Sequence, residues 1–240
     1  MGPSFGAVVS PGPSLGSRRA RSGTYNPVVD REAVAELLAA LAYGEQVAAA
    51  RARANAAFAP DQRRREAQLG IAEREERNWR LIEARMHEFA TPDLTPRFQP
   101  FFDAFFAGTE PSDWTLAQAF HYVGDALVSD FADILVEVLD PVSAEIIRRT
   151  LGEREWQESF ALEELSRAME EDPTQAERIA AYAKLIVGEA ITQTRRALVQ
   201  TTQLRSLLGG DEGEKRMVLD LLERHRARLD RLGIERVEID

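Results

Sequence analysis

LGIAEREERNWRLIEARM, residues Leu69–Met86, carries the pattern from which the architecture of this chain is inferred. Its apolar and small residues recur every three or four positions, as they do on one face of an amphipathic helix. The stripe comprises Leu69, Ala72, Glu76, Trp79, Ile82 and Met86. Its centre, Glu76-Arg77-Asn78-Trp79, is echoed by Glu-Arg-Glu-Trp at residues 153–156. A Glu-x-x-Trp pair is therefore expected on two helices.

A second repeated pair precedes each of these motifs. Glu45 follows a glycine upstream of the first motif, and Asp125 follows a glycine upstream of the second, at similar separations. Two consecutive αα-hairpins with this content would bring four carboxylates to one centre, which is the layout of helical bundles that bind two metal ions. The candidate metal ligands are Glu45, Glu76, Asp125 and Glu153.

The rest of the chain has helical rather than strand periodicity, so the fold class is all-α. Residues 88–111 contain several prolines and a Phe-rich segment, which predicts a crossover with a short buried helix. We predict an antiparallel four-helix bundle with an additional long C-terminal helix. The five long helices are expected at residues 30–58, 61–87, 112–139, 140–171 and 172–208.

Composition divides the chain into three parts. Residues 1–29 are rich in Gly, Pro and Ser, which predicts a flexible arm. Residues 30–208 hold the helical bundle expected above. Gly209 and Gly210 end the fifth helix, and residues 209–240 are expected to form a linker, a short charged helix at 214–231 and a tail.

Overall composition is that of a globular protein. The chain has 240 residues, of which 44% are hydrophobic and 29% charged, and its formal net charge is −10. It contains no Cys, which excludes disulfides and thiolate metal sites. No apolar run reaches the roughly 18 residues that a membrane-spanning helix needs, and no signal-type segment begins the chain. We expect a cytoplasmic protein without membrane contact.

The repeated motif differs from that of dinuclear bundles in one respect. Trp stands where those proteins have His, and an indole N–H donates hydrogen bonds but cannot ligate a cation. Trp79 and Trp156 are therefore substituted ligand positions. The register is open, because Glu73 also aligns with Glu153; Glu76 is preferred because it shares the stripe of Trp79. Further polar groups near the centre are expected from His121, Glu189, Gln193, Arg77 and Arg154.

Residues 33–205 resemble the ferritin-like proteins grouped with the MiaE-type tRNA hydroxylases. The resemblance rests on Tyr43-Gly44-Glu45, on Tyr122-Val123-Gly124-Asp125 and on residues 185–190, LIVGEA. It implies a ferritin-like bundle and, in members with intact motifs, a non-haem di-iron centre that activates dioxygen to hydroxylate a modified tRNA base. It also implies metal ligands at the four carboxylates named above, and it fails at the two Trp positions.

Two functions are compatible with these residues. The first is a degenerate ferritin-like protein, a pseudo-enzyme that has no cofactor and acts in binding or scaffolding. Four buried carboxylates would then need other compensation, for example from Arg77, Arg154 or the indole N–H groups. The second is an oxygen-dependent hydroxylase with an iron or manganese pair held by oxygen ligands alone, acting on a modified tRNA base or another substrate.

Candidate contacts with an unknown protein or RNA partner are the N-terminal arm and an Arg strip at residues 51–85. The strip holds nine Arg against six acidic residues, a balance compatible with phosphate contacts. A solvated helix face with Glu and Arg four residues apart explains the same pattern more simply. Homo-oligomer formation is left open.

Overall fold

The structure is a computed structural model that describes residues 31–89, 93–137, 139–152 and 154–234. None of these residues is in a strand, and the all-α prediction is confirmed. The predicted arm, residues 1–29, lies outside the described residues. The helices are α1 (Arg31–Asn55), α2 (Gln62–His87), α3 (Gln99–Gly108), α4 (Trp114–Phe120), α5 (Ala126–Val136), α6 (Pro141–Gly152), α7 (Glu155–Glu171), α8 (Gln175–Gln200), α9 (Thr202–Leu207) and α10 (Gly210–Arg231).

Two helical hairpins form the bundle. Helices α1 and α2 pack along each other in the first hairpin, while α4 and α5 pack against α7 and α6 in the second. Helix α3 lies in the crossover between the hairpins and contacts α8. This arrangement confirms the predicted four-helix bundle with an additional long helix, which is α8.

Aspartates at the helix starts set several boundaries. The side chain of Asp61 accepts a hydrogen bond from the backbone N–H of Arg64 at 2.8 Å, and that of Asp113 accepts from Leu116 at 3.1 Å. Asp140 accepts from the backbone N–H groups of residues 142 and 143. Each carboxylate satisfies an N–H group that has no partner within the first helical turn. The third bundle helix consequently begins at Trp114.

Three of the predicted long helices are interrupted. A π-helical segment, His121–Asp125, separates α4 from α5. The predicted helix 140–171 consists of α6 and α7, which meet near residue 154, and the predicted helix 172–208 consists of α8 and α9. These breaks matter because two of them, at 121–125 and near 154, lie beside the polar centre described below.

The helix that follows Gly209 is longer than the sequence pattern indicates. Gly209 and Gly210 have positive φ angles of 89° and 67°, which turn the chain directly into α10. A Cβ on Gly213 would lie 1.6 Å from the backbone oxygen of Leu208, so this close approach requires glycine. The predicted short helix at 214–231 therefore begins at Gly210, where a linker was expected.

The apolar core is divided into two main clusters along the bundle. On α1, seven residues between positions 34 and 42 belong to the first cluster, and residues 47 and 48 pack against the second. Glu45 lies between them. On the second hairpin, Ile147 belongs to the first cluster and Ala161 to the second, with residues 154 and 157 between them. On these helices a polar layer thus separates the two apolar clusters, while Phe102 and Leu221 pack against both clusters.

Helix α1 with its 3-10 extension, Arg31–Phe58, is long and apolar enough to cross a membrane by length and composition. The mean hydropathy of its 18-residue window is 1.2, and 72% of that window is buried inside the protein. Its apolar residues pack against α2, α3 and α9. They are therefore used in the core of the bundle.

His225 on α10 predicts a pH dependence of stability. The residue is 1% exposed, and burial lowers its pKa from 6.5 to about 4, with further lowering by Arg228 and Arg226 and an opposing effect of Asp130. Because the pKa of His225 is lower in the folded state than in the unfolded state, the unfolded state takes up the proton first. The free energy of unfolding is therefore unaffected above pH 6.5 and falls as the pH falls toward 4. We expect a loss on the order of 3 kcal/mol in the free energy of unfolding.

Urea unfolding at several pH values tests this expectation. His225→Leu removes the titrating group, so its free energy of unfolding should vary less between pH 7 and pH 4 than that of the wild type. His87→Leu is the matched control, because His87 is exposed and its replacement should leave the pH profile unchanged. Parallel profiles for His225→Leu and the wild type would contradict the assignment.

Candidate functional site

Four structural elements place charged side chains in one buried cluster, which we call the polar centre. Glu45 comes from α1, Glu75 from α2, Asp125 from the end of the π-helical segment and Arg154 from the start of α7. Their exposed fractions are 4%, 1%, 7% and 8%. Charged residues are almost never this buried unless they are paired, so their partners define what the centre can do.

Arg154 occupies the middle of the polar centre. Its Nη2 donates to Oε1 of Glu45 and, at 3.1 Å, to Oε2 of Glu75. Its Nη1 donates to the backbone oxygen of Asp125 at 3.4 Å. One guanidinium thus joins α1, α2, the π-helical segment and α7. Because a guanidinium does not lose its proton in proteins, this cation is permanent.

Arg74 supplies a second buried cation. Its Nη2 donates to Oε1 of Glu75 at 3.0 Å and also to Oε1 of Gln157. Each carboxylate oxygen of Glu75 therefore has its own guanidinium partner. Asn78, one turn further along α2, donates from Nδ2 to Oε2 of Glu45 at 3.4 Å.

Histidine and amide side chains complete the other half of the polar centre. His121 Nδ1 lies 2.6 Å from Oδ2 of Asp125, and His121 Nε2 lies 2.7 Å from Nε2 of Gln68. These contacts fit a ring that donates from Nδ1 to Asp125 and accepts at Nε2 from Gln68. Gln157 Nε2 also donates to Oδ2 of Asp125, and Gln118 donates to Oε1 of Gln68 at 3.1 Å.

The pKa values of the two glutamates are shifted in opposite directions. Burial raises the pKa of Glu45 well above its usual range, and Glu75 and Asp125 raise it further against the effect of Arg154. Burial also acts to raise the pKa of Glu75, but Arg154, a hydrogen bond with Glu45, and Arg74 together lower it to about 2. The guanidinium groups of Arg154 and Arg74 thus compensate the carboxyl groups of the centre.

The structure places two of the four predicted carboxylates, Glu45 and Asp125, at the polar centre. Glu76 lies instead on the outer face of α2, where it accepts from Arg53 at 3.0 Å and from Arg80 at 2.5 Å. Its neighbour Glu75 points inward, since successive residues of a helix are turned by about 100°. Glu73, the alternative partner, is exposed. The inward position is thus neither of the two weighed from the sequence.

Neither Trp of the predicted motif lies at the polar centre. Trp79 is half-buried against the first apolar cluster. Trp156 is 53% exposed and stacks on Phe160 with ring centroids 5.5 Å apart. Glu153 lies outside the described residues. The pairs that do face the centre are Glu75-x-x-Asn78 and Arg154-x-x-Gln157, displaced by one residue from the predicted pairs, in opposite directions.

The other polar residues expected near the centre divide into two groups. His121 and Arg154 are part of it. Arg77 is exposed on α2. Glu189 and Gln193 lie on α8, where Nε2 of Gln193 donates to Oε2 of Glu189 at 3.2 Å beside α3. Glu75, Arg74, Asn78 and Gln157 were not predicted, although a buried stripe of three- and four-residue steps through Glu75 and Asn78 is present in the sequence.

The predicted Arg strip at residues 51–85 is not a single surface. Arg51 donates to the backbone oxygen of Thr109 at 3.1 Å and lies over the ring of Phe106 at 5.3 Å. Arg64 donates to Glu164 at 2.5 Å, and Arg85 donates to Asp140 at 2.8 Å. Together with Arg74 these side chains connect α2 or α1 to other elements of the bundle.

The residues of the polar centre do not fit a dinuclear metal site. Amides, Asn78 and Gln157, stand three residues after the two inward-facing charged groups, where imidazoles would be needed. A guanidinium lies between Glu45 and Glu75 and would repel a metal ion there. Among the described residues no group of three or more His, Cys, Asp or Glu could hold a metal ion. The chain itself supplies the compensating cations.

Most of the chain matches a known protein family. A family model described as "Ferritin-like domain, actinomycetes" matches residues 29–211. This range includes every residue of the polar centre. No curated protein matches the chain.

Arg154 should be a major determinant of stability. In Arg154→Met, the carboxylates of Glu45 and Glu75 lose their shared cation while they remain buried, which should cost about 3–5 kcal/mol. The measurement is the free energy of unfolding in urea. Arg77→Met is the matched control, since Arg77 is exposed and its loss should cost less than about 0.5 kcal/mol. Equal effects of the two substitutions would refute the central role of Arg154.

The depressed pKa of Glu75 predicts acid sensitivity. Its stabilising effect is complete above its ordinary pKa of 4.5 and is lost as the pH falls toward 2. We expect Glu75→Gln to be less stable than the wild type at pH 7 and to lose less stability between pH 5 and pH 2. Thermal unfolding across this range checks the slopes. Glu73→Gln, on the exposed face, should keep the wild-type slope; if Glu75→Gln keeps it as well, the prediction fails.

Proposed function

The chain belongs to the family of ferritin-like domains of actinomycetes, and on that premise we propose that it is a member without a metal centre that acts as a non-catalytic binding or scaffolding protein. The observation that supports the proposal is the guanidinium of Arg154 between Glu45 and Glu75. In this interpretation a cation built into the chain does what bound metal ions would do for the carboxylates. The fold then needs no cofactor.

The chemistry of the donor set supports this interpretation. Iron and manganese in such bundles are held by carboxylates together with imidazoles at i, i+3 spacing. Asn78 and Gln157 occupy those positions, and Arg154 occupies the place of a carboxylate. His121, the one imidazole of the centre, already pairs with Asp125 and Gln68. A hydroxylase would need a metal pair at this place, and these residues oppose its binding.

We further propose that the chain descends from MiaE-like hydroxylases and is a pseudo-enzyme. The support is the likeness over residues 33–205, which includes the Gly-carboxylate pairs at Glu45 and Asp125, combined with the changed positions on the partner helices. Those pairs keep two carboxylates at the centre. The family match gives the ferritin-like part of this statement. We propose a cytoplasmic location. We also propose an uncharged ligand or a protein partner, because several Arg side chains of the strip at residues 51–85 are used within the bundle.

Reversal of the three substituted positions tests the proposal. Asn78→His, Arg154→Glu and Gln157→His in one variant would restore two Glu-x-x-His pairs that face the polar centre. We expect the wild type, produced with added iron and manganese, to contain only traces of either metal. The triple variant should bind a metal pair, as measured by elemental analysis, with far-ultraviolet circular dichroism to check folding.

The matched control adds imidazoles in the register that the sequence suggested. Trp79→His with Trp156→His introduces two histidines at positions that do not face the polar centre. This variant should bind no more metal than the wild type. The proposal would be overturned if the wild type contained a metal pair that disappeared in Glu75→Gln. That result would favour the oxygen-dependent hydroxylase.

A further inference from the structure

An apolar cavity of about 140 Å³ lies among α1, α3, α5, α8 and α10. Its wall includes Phe101 and Phe105 of the crossover helix, Leu127 of α5, Leu198 of α8 and Met217 of α10. We propose that this cavity binds an uncharged, mainly apolar small molecule. The proposal names the ligand of the proposed binding function and rests on that function for its biological meaning.

The size of the cavity supports a ligand. Protein interiors are close-packed, and voids much larger than a water molecule are few. An apolar cavity of about 150 Å³ stays dry and takes up benzene. This cavity has a comparable volume, and its wall follows α8 from Val187 to Leu198, a distance of about 16 Å at 1.5 Å per residue. An elongated molecule fits that shape better than a compact one.

The composition of the wall excludes a charged ligand. None of the described residues that line the cavity is charged, and the buried amide of Gln193 is one of its few polar groups. A single hydroxyl group on the ligand could therefore be accommodated beside Gln193. A carboxylate would have no cation to pair with in the wall, and burial of an unpaired charge is strongly unfavourable.

The polar centre does not change this conclusion. A smaller space of about 20 Å³ shares Phe102 and Gly124 with the apolar cavity and reaches Glu45 and Arg154. Arg154 is already paired with Glu45 and Glu75, so its charge is already compensated within the protein. Glu45 and Asp125 line the same space and supply no positive charge that could pair with an anion. The apolar wall of the cavity and the compensated charge of the polar centre thus both favour a neutral ligand.

Binding of 1-octanol to the full chain tests the proposal. We expect saturable binding at one site by isothermal titration calorimetry and a rise in the unfolding temperature with octanol concentration, because a ligand that binds the folded state stabilises it. Octanoate at pH 7 has the same chain length with a carboxylate, and it should bind at least about tenfold more weakly. Absence of saturable octanol binding, or octanoate binding of equal strength, would overturn the proposal.

Two substitutions on α8 locate the site. Ala190 lines the cavity, so Ala190→Phe should fill it and weaken octanol binding by about tenfold or more. Ala181→Phe is the matched control, because Ala181 is exposed on the same helix and should leave binding unchanged. If circular dichroism shows that Ala190→Phe does not fold, Ala197→Leu, also on the cavity wall, replaces it. Equal octanol affinity in the wall variant and in the control would refute the site.

Failure of this inference and failure of the proposed function give different results. Octanol binding is measured without reference to metal content, and metal content is measured without octanol. A protein that holds a metal pair and still binds octanol would overturn the pseudo-enzyme and leave the cavity ligand standing. A metal-free protein that binds no octanol would overturn the cavity ligand alone.

Discussion

Carboxylates buried between two apolar cores need a cation, and in this protein the guanidinium of Arg154 is that cation. Removal of a carboxylate from water is costly, and attraction to a close, well-oriented partner offsets the cost only where further hydrogen bonds satisfy the remaining atoms. Arg154 pairs with Glu45 and Glu75 at once, and Arg74 and Asn78 bond the oxygens that remain. The bundle depends on this pairing, since it joins both hairpins at the layer where their helices bring polar side chains together.

The interruptions of the helices make that pairing possible. Helices α6 and α7 meet near Arg154, and the break allows its side chain to enter the bundle. A continuous helix would turn a different residue inward at this point. The π-helical segment, His121–Asp125, has the same effect on the opposite helix. It directs His121 and Asp125 inward together, and the backbone oxygen of Asp125 accepts from Arg154. Such π segments are frequent at functional sites in helices.

The sequence predicts the fold more completely than it predicts the residues of the polar centre. Helix periodicity, the aspartate caps and the proline-rich crossover are sufficient to predict the bundle. The Gly-carboxylate pairs indicate Glu45 and Asp125, and the structure places both residues at the polar centre. The register predicted for α2 is wrong because the pattern places Trp79 in the core, whereas large aromatic side chains often lie half-buried at the edge of a core. The buried stripe of α2 runs through Gln68, Ile71, Glu75, Asn78, Ile82 and Met86. Near residue 154 three charged residues are consecutive, and only the tertiary structure determines that Arg154 turns inward.

A guanidinium that belongs to the chain differs from a bound metal ion in what it requires of the bundle. A metal site ties the stability of a bundle to metal supply and requires a path for the ion, whereas Arg154 is present as soon as the chain folds. In the proposed function, the apolar cavity does not serve a reaction at the polar centre. The Phe-rich crossover helix α3 forms part of its wall, and Gly44 admits the ring of Phe102, to which a Cβ would approach within 2.9 Å. In the proposed function, the same crossover that completes the bundle therefore shapes its ligand site.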